Sequence, residues 1–209
     1  MHVYRLDHIV VAVADLDEAA ALFLERYGLA SYEGGRHAGL GTANRIIPLG
    51  DSYVELLGVV DDPTAAESSI GTWISRAGNP SGRLVSWCLG TDDIDGIAAR
   101  IGVAPQALSR TRPDGVRLSW RSAGFERAMD FPGLPFFISW DVPPDQLPGM
   151  TPAPHRVAVR GITSVTLGGG ADRLRAWLGD HDLPVRFSGG PPGLESISIT
   201  TASGGIEIR

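Results

Sequence analysis

Residues 6–17 read Leu6-Asp7-His8-Ile9-Val10-Val11-Ala12-Val13-Ala14-Asp15-Leu16-Asp17, and this stretch decides the fold. A β-branched apolar run leads to Asp15, a side chain suited to capping a helix N-terminus, and a helical pattern follows over 16–28. Strand side chains alternate, so His8 shares a face with Val10 and Ala12 while Ile9, Val11 and Val13 take the other. Ala20, Phe23, Leu24 and Tyr27 recur at helical spacing, with Gly28 where a C-cap glycine belongs. Three strands follow near 30–36, 43–49 and 52–59, the last two joined by a hairpin turn at Gly50-Asp51.

The same strand-to-Asp-to-helix pattern returns at 84–100 and, in shorter form, at 162–178. Ser86 and Ser164 then follow His8 at equal steps along the chain. The second repeat has a strand over 83–90, an amphipathic helix carrying Ile94, Ile97, Ala98 and Ile101, and strands near 106–111, 115–122 and 134–141. The third has a strand over 160–167, a helix over 171–180, and strands at 184–188, 194–200 and 205–209. Residues 61–80 read as a polar connection with about one helical turn around Trp73. Pro143, Pro144, Pro148, Pro152 and Pro154 make a linker that cannot pair inside a sheet. The closing Ser203-Gly204-Gly205-Ile206-Glu207-Ile208 mirrors Asp51-Ser52-Tyr53-Val54-Glu55-Leu56, which sets Glu207 in register with Glu55. The expected class is α+β, with repeated β-α-β-β-β units forming cup-like antiparallel sheets. The expected boundaries near 60–82 and 142–157 separate units at 1–60, 83–141 and 155–209.

Composition bounds the function classes. The chain is 43% hydrophobic and 20% charged, which argues for a globular core and against disorder. A net charge of −6 without a Lys/Arg run argues against a nucleic-acid partner. The longest apolar stretches are strand-length, too short for a membrane span, and no signal-peptide pattern is expected at the N-terminus. One cysteine, Cys88, cannot form an internal disulfide. A cytoplasmic location follows as the expectation.

A β-α-β-β-β unit used more than once resembles the vicinal oxygen chelate superfamily, which includes glyoxalase I, extradiol dioxygenases, methylmalonyl-CoA epimerase and antibiotic-resistance proteins. The opening Leu-Asp-His-Ile-Val-Val-Ala-Val, the segment Gly-Arg-His-Ala-Gly-Leu-Gly-Thr-Ala-Asn-Arg (35–45) and the Tyr-Val-Glu-Leu-Leu strand are more narrowly similar to its glyoxalase-like domain branch. Pro113-Asp114-Gly115-Val116, Leu118-Ser119-Trp120-Arg121 and 135–141 extend the likeness, so residues 1–141 form the expected glyoxalase-like domain. The resemblance implies that two units pair into a cup, with divalent-metal ligands on the first and last strands of the paired units. His8 and Glu55 match those positions in unit one. Glu207 would complete a set of His8, Glu55 and Glu207 if units one and three face each other. The counterparts in the other units, Ser86, Ser164 and Phe137 or Ile138, are poor or impossible ligands. The metal expected is Zn, Fe, Mn or Ni, or none at all.

Within that frame Glu55 and Glu207 are the candidate proton-transfer bases. Asn44 and Arg45 follow a glycine-rich stretch that permits close backbone approach, and would bind a carboxylate or carbonyl. Trp120-Arg121 and Trp140-Asp141 would wall a pocket for an apolar or planar ligand. Cys88, with no charged neighbour in sequence, reads as inert core. No Gly-X-Ser-X-Gly elbow supports a serine hydrolase. The expected function is a glyoxalase-like lyase, isomerase or dioxygenase acting on a small oxygenated metabolite in the cup, with a homodimer as the candidate assembly. The alternatives are a metal-free binding or sequestering protein of the same fold, and a structural or dimerisation module.

Overall fold

The computed structural model describes residues 4–209, so residues 1–3 of the first expected unit lie outside it. Among the described residues, strands β1 (Arg5–Ala12), β2 (Tyr32–His37), β3 (Thr42–Pro48) and β4 (Tyr53–Val59) make the first unit with helix α1 (Leu16–Tyr27). The side chain of Asp15 accepts from the backbone N–H groups of Asp17 and Glu18 to start α1. Gly28 ends it at φ 71°, a left-handed conformation that suits glycine. Two short helices the sequence pattern understated, α2 (Asp62–Ala66) and α3 (Ser69–Ala77), follow. The second unit holds β5 (Arg83–Gly90), α4 (Ile94–Ile101), β6 (Gln106–Thr111), β7 (Arg117–Ala123), an unexpected α5 (Phe125–Asp130) and β8 (Phe136–Trp140).

These eight strands close into a barrel in the order β1-β4-β3-β2-β6-β7-β8-β5. Units one and two therefore pair side by side, through antiparallel β1–β5 at one seam and β2–β6 at the other. The second seam is the thinner one, with Arg36 registered against Thr111. The expected α+β cup of repeated β-α-β-β-β units is present, with mixed rather than purely antiparallel sheets, because β1 runs parallel to β4 and β5 runs parallel to β8. In each of these two units the chain leaves its first strand by a helix and returns in three strands, the last of which lies alongside the first in the same direction.

Period-two alternation sorts the barrel into two cores. Outward-facing Ile9, Val11, Val54, Leu56, Trp87, Leu89 and Phe137 pack against Phe23 of α1 and Ile94 and Ile97 of α4. Inward-facing Val10, Ala12, Leu57, Cys88, Phe136 and Ile138 form a smaller interior cluster, with Ile74 of α3 packed onto it. Among the described residues no helix is long and apolar enough to cross a membrane.

The third unit is β9 (Val159–Leu167), α6 (Ala171–Leu178), β10 (Val185–Phe187), β11 (Leu194–Thr201) and β12 (Gly204–Ile208). Its strands make a separate sheet, β10-β9-β11-β12, whose Val165, Leu167, Ile197, Ile199 and Ile208 join the core outside the barrel. The linker before it is strapped to unit one: His155 Nδ1 accepts from the Ala30 N–H at 3.0 Å and its Nε2 donates to the Pro48 carbonyl at 2.8 Å. The mirror between 203–208 and 51–56 does not survive folding. In unit one β4 lies beside β1, whereas β12 lies at a sheet edge with β11 between it and β9. Glu207 pairs with Ser198 across that edge and is not the counterpart of Glu55.

Candidate active site in the barrel interior

The parity of β1 and β4 turns His8 and Glu55 into the barrel, where His8 Nε2 and Glu55 Oε2 stand 3.7 Å apart. The relation is local: β1 and β4 are hydrogen-bonded neighbours, with His8 registered to Tyr53 and Val10 to Glu55. The His8 ring stacks on Tyr53 at 4.6 Å and meets the edge of Phe136 at 5.4 Å.

Each of these two groups is oriented by a further partner. His8 Nδ1 donates to Asp7 Oδ1 at 2.6 Å, which leaves the Nε2 lone pair directed at Glu55. Asp7 Oδ2 in turn accepts from Trp140 Nε1 at 2.9 Å. On the other side the Asn44 amide donates to Glu55 Oε1 at 2.5 Å, so Oε2 is the carboxylate oxygen left open. His37 continues the line, with Nε2 3.4 Å from Asn44 Nδ2 and Nδ1 3.0 Å from Thr42 Oγ1. The interior thus holds one polar line, Asp7–His8–Glu55–Asn44–His37, across an otherwise aromatic and aliphatic wall.

Burial sets the charge states of the groups around this line. It pushes the Tyr53 hydroxyl and the Cys88 thiol well up from their ordinary values, and the carboxylates of Asp7 and Glu55 add to both shifts. Burial lowers His37, against an opposing pull from Glu55. At neutral pH the interior therefore contains a neutral phenol, a protonated thiol and a neutral His37 imidazole. Cys88 is no nucleophile under these conditions.

The cavity bounded by these residues has a volume of about 90 Å³. Trp120, Trp140, Phe125 and Phe136 supply its aromatic wall, Leu40 and Ile70 part of its aliphatic lining, and Arg110 a buried guanidinium. Trp120 and Trp140 lie 5.3 Å apart, ring centre to ring centre.

Several residues named from the sequence fall elsewhere. Arg45 is on the outer face of β3, bound to Asp17 Oδ1 at 3.0 Å and Ser31 Oγ at 3.1 Å. Arg121 is on the outer face of β7, bound to Asp95 of α4 at 2.8 Å. Each is the chain neighbour of a residue that does face inward, Asn44 or Trp120, and adjacent strand residues cannot share a face. Glu207 is exposed on β12 and pairs with Arg209 at 3.1 Å, so the set His8, Glu55 and Glu207 is not brought together. Asp7, Tyr53, His37 and Arg110 were missed. Alternation assigns Asp7 to the outer face, but the β1–β5 register shifts between Leu6 and His8 and the carboxylate reaches the His8 ring.

The residues fit a divalent metal by halves. His8 Nε2 and Glu55 Oε2 are spaced close to the ~3.3 Å expected of two tetrahedral ligands at bonds of ~2.0 Å. Their hydrogen bonds to Asp7 and Asn44 are the outer contacts that ligating imidazoles and carboxylates usually have. The counterparts in unit two do not complete the set: Ser86 is a hydroxyl, and Phe136, beside Cys88 on β5 as Glu55 is beside Val10 on β1, is apolar. Asp7, His8 and Cys88 also cluster, but Asp7 and His8 are joined by a hydrogen bond and the thiol is held protonated.

Residues 6–181 match the family described as glyoxalase-like domain. Among solved structures, a hypothetical protein from Staphylococcus aureus aligns with a TM-score of 0.66 at 16% identity, covering 99% of this chain and 86% of that one. The likeness therefore spans the third sheet as well as the barrel. A Streptomyces coelicolor methylmalonyl-CoA epimerase in complex with 2-nitronate-propionyl-CoA aligns at a TM-score of 0.46 and 21% identity over 66% of this chain and 98% of that one. The Mycobacterium tuberculosis methylmalonyl-CoA epimerase aligns at 0.42 and 17% over 65% and 85%. No curated protein matches the sequence.

Proposed function

For a chain that belongs to the glyoxalase-like domain family of the vicinal oxygen chelate superfamily, we propose that the barrel interior is the active site of a lyase or isomerase that moves a proton on a small oxygenated substrate. The observation that carries this reading is the polar line itself, in which His8 and Glu55 are buried, oriented by hydrogen-bond partners and presented on neighbouring strands. Glu55 Oε2 is the base: Asn44 fixes its other oxygen, and the surrounding aromatic wall excludes water from the carboxylate. His8 Nε2 faces the same space and takes or returns the second proton at a substrate oxygen, with Asp7 stabilising the imidazolium that forms. Tyr53, stacked on His8 and held as the phenol, keeps the ring in place. A divalent ion held by His8 Nε2 and Glu55 Oε2 would supply Lewis-acid neutralisation of neighbouring substrate oxygens in place of the proton transfers that these two atoms make when free.

The experiment is a screen for isotope exchange. Small 2-oxo and 2-hydroxy acids and aldehydes are incubated with the protein in D₂O, and loss of the C–H signal next to the carbonyl is followed by NMR. The expected result is catalysed exchange for a subset of compounds. Metal content is measured in parallel on protein purified without chelator: metal lost in both His8→Ala and Glu55→Ala places the ion between them. The second reading, a metal-free binding or sequestering protein, draws on Ser86 and Phe136 standing where the paired unit's ligands would be. Binding without exchange for every compound would favour it.

A further inference from the structure

We infer that the ligand of this cavity carries a single carboxylate, and that Arg110 is the group that receives it. The inference rests on the barrel interior being the binding site, as in the function proposed above, but not on the proton transfer. Arg110, on β6, is 4% exposed and lines the same cavity as His8 and Glu55. Its Nη1 donates to the Gly34 carbonyl on β2. Its Nη2 is buried and, among the described residues, has no hydrogen-bond partner. The charge is felt inside the barrel: it pulls against the raised hydroxyls of Tyr53 and Tyr32 and helps to lower His37.

Buried guanidinium groups are found paired, because an uncompensated charge in a low-dielectric interior is costly. Even on the outer face, where solvent helps, Arg45 and Arg121 each hold a carboxylate. Arg110 holds the Gly34 carbonyl and interacts with the Tyr32 hydroxyl, but pairs with no acid. An open donor edge on a permanent cation, at the wall of a cavity, is a receptor for an anion. The chemistry of the rest of the interior selects which anion. Glu55 lines the cavity and Asp7 stands directly behind His8, so a dianionic phosphate would meet more repulsion than one guanidinium offsets. The volume of about 90 Å³ suits a compact group, and Trp120 and Trp140 offer an apolar face to the remainder. A small monocarboxylate satisfies each of these conditions.

The test separates anion binding from turnover. Acetate, pyruvate, glyoxylate and benzoate, each paired with its uncharged amide or aldehyde counterpart, are titrated calorimetrically into the wild-type protein and into Arg110→Gln, Arg110→Lys, Glu55→Gln and Arg112→Gln. Circular dichroism confirms that each variant is folded. The expected result is that at least one carboxylate binds and its uncharged partner does not. Affinity falls at least tenfold in Arg110→Gln and is partly kept in Arg110→Lys. It persists in Glu55→Gln, even with exchange activity gone, and in Arg112→Gln, whose side chain pairs with Asp114 and does not line the cavity. Equal binding of the uncharged partners, undiminished affinity in folded Arg110→Gln, or no binding by any of the four acids would overturn the inference. Loss of exchange in Glu55→Gln with carboxylate binding intact supports both readings, and carboxylate binding without exchange in the wild type supports this one alone.

Discussion

At the scale of single residues, the site depends on groups that hold other groups. Asp7 is the clearest: it accepts from His8 Nδ1 and Trp140 Nε1 together. Asp7→Ala leaves both donors without an acceptor in a largely buried place, and should cost roughly 2–3 kcal/mol of stability by urea unfolding. His37 gives a pH signature. Its folded value lies below the ordinary histidine value because burial disfavours the cation. The unfolded chain therefore binds a proton that the folded chain resists, so stability is full above about pH 6.5 and falls as the pH drops below it. Urea midpoints at pH 5 and pH 8 should differ less in His37→Gln than in the wild type. The sequence made His8, Glu55, Asn44, Trp120 and Trp140 legible because alternation and the family likeness act residue by residue. Asp7 was hidden by a register shift, which no period-two pattern records. Arg110 was hidden because an arginine in a plain alternating strand reads as solvent-facing until the closure of the barrel buries it.

At the scale of elements, the regular pieces were readable and the ones between them were not. The strand-cap-helix signal at Asp15 and Gly28 is local chemistry, so sequence alone located α1. Of 61–80 the pattern shows only a turn around Trp73, although Asp61 and Ser68 cap α2 and α3, because two helices this short depend on packing as well as on their caps. Gly71 of α3 shows how close that packing is: a Cβ there would meet the Ala65 backbone and the Leu40 carbonyl at 2.6 Å each. Gly71→Ala must therefore push α3 away from α2 and the 38–41 turn, at a cost of about 1–3 kcal/mol. Hydrogen exchange should then speed up in α2 and α3 but not in β1 or β4. Because Ile70 of α3 lines the cavity, the same variant should bind small ligands with altered affinity while leaving the His8–Glu55 pair unmoved.

At the scale of the molecule, the third sheet is a buttress on the barrel's outer face. Ile197 and Ile199 are fully buried in one core with Ile9, Val11 and Trp87, so barrel and sheet should unfold together. Ile197→Ala should cost about 2–4 kcal/mol. It should shift the tryptophan-fluorescence and circular-dichroism transitions by the same amount. The strand sequence of the third unit repeats that of the first, but its topology does not, since order along a chain leaves open which edge the last strand joins. That difference decides the central claim, which is that the chemistry belongs to the paired units one and two and centres on Glu55, with Glu207 outside it. The direct measurement is the rate of C–H to C–D exchange in D₂O, on the best compound of the screen, for wild type, Glu55→Gln and Glu207→Gln. The account predicts a loss of at least ~100-fold in Glu55→Gln and an unchanged rate in Glu207→Gln. Wild-type exchange in a folded Glu55→Gln protein, or a comparable loss in Glu207→Gln, would contradict it.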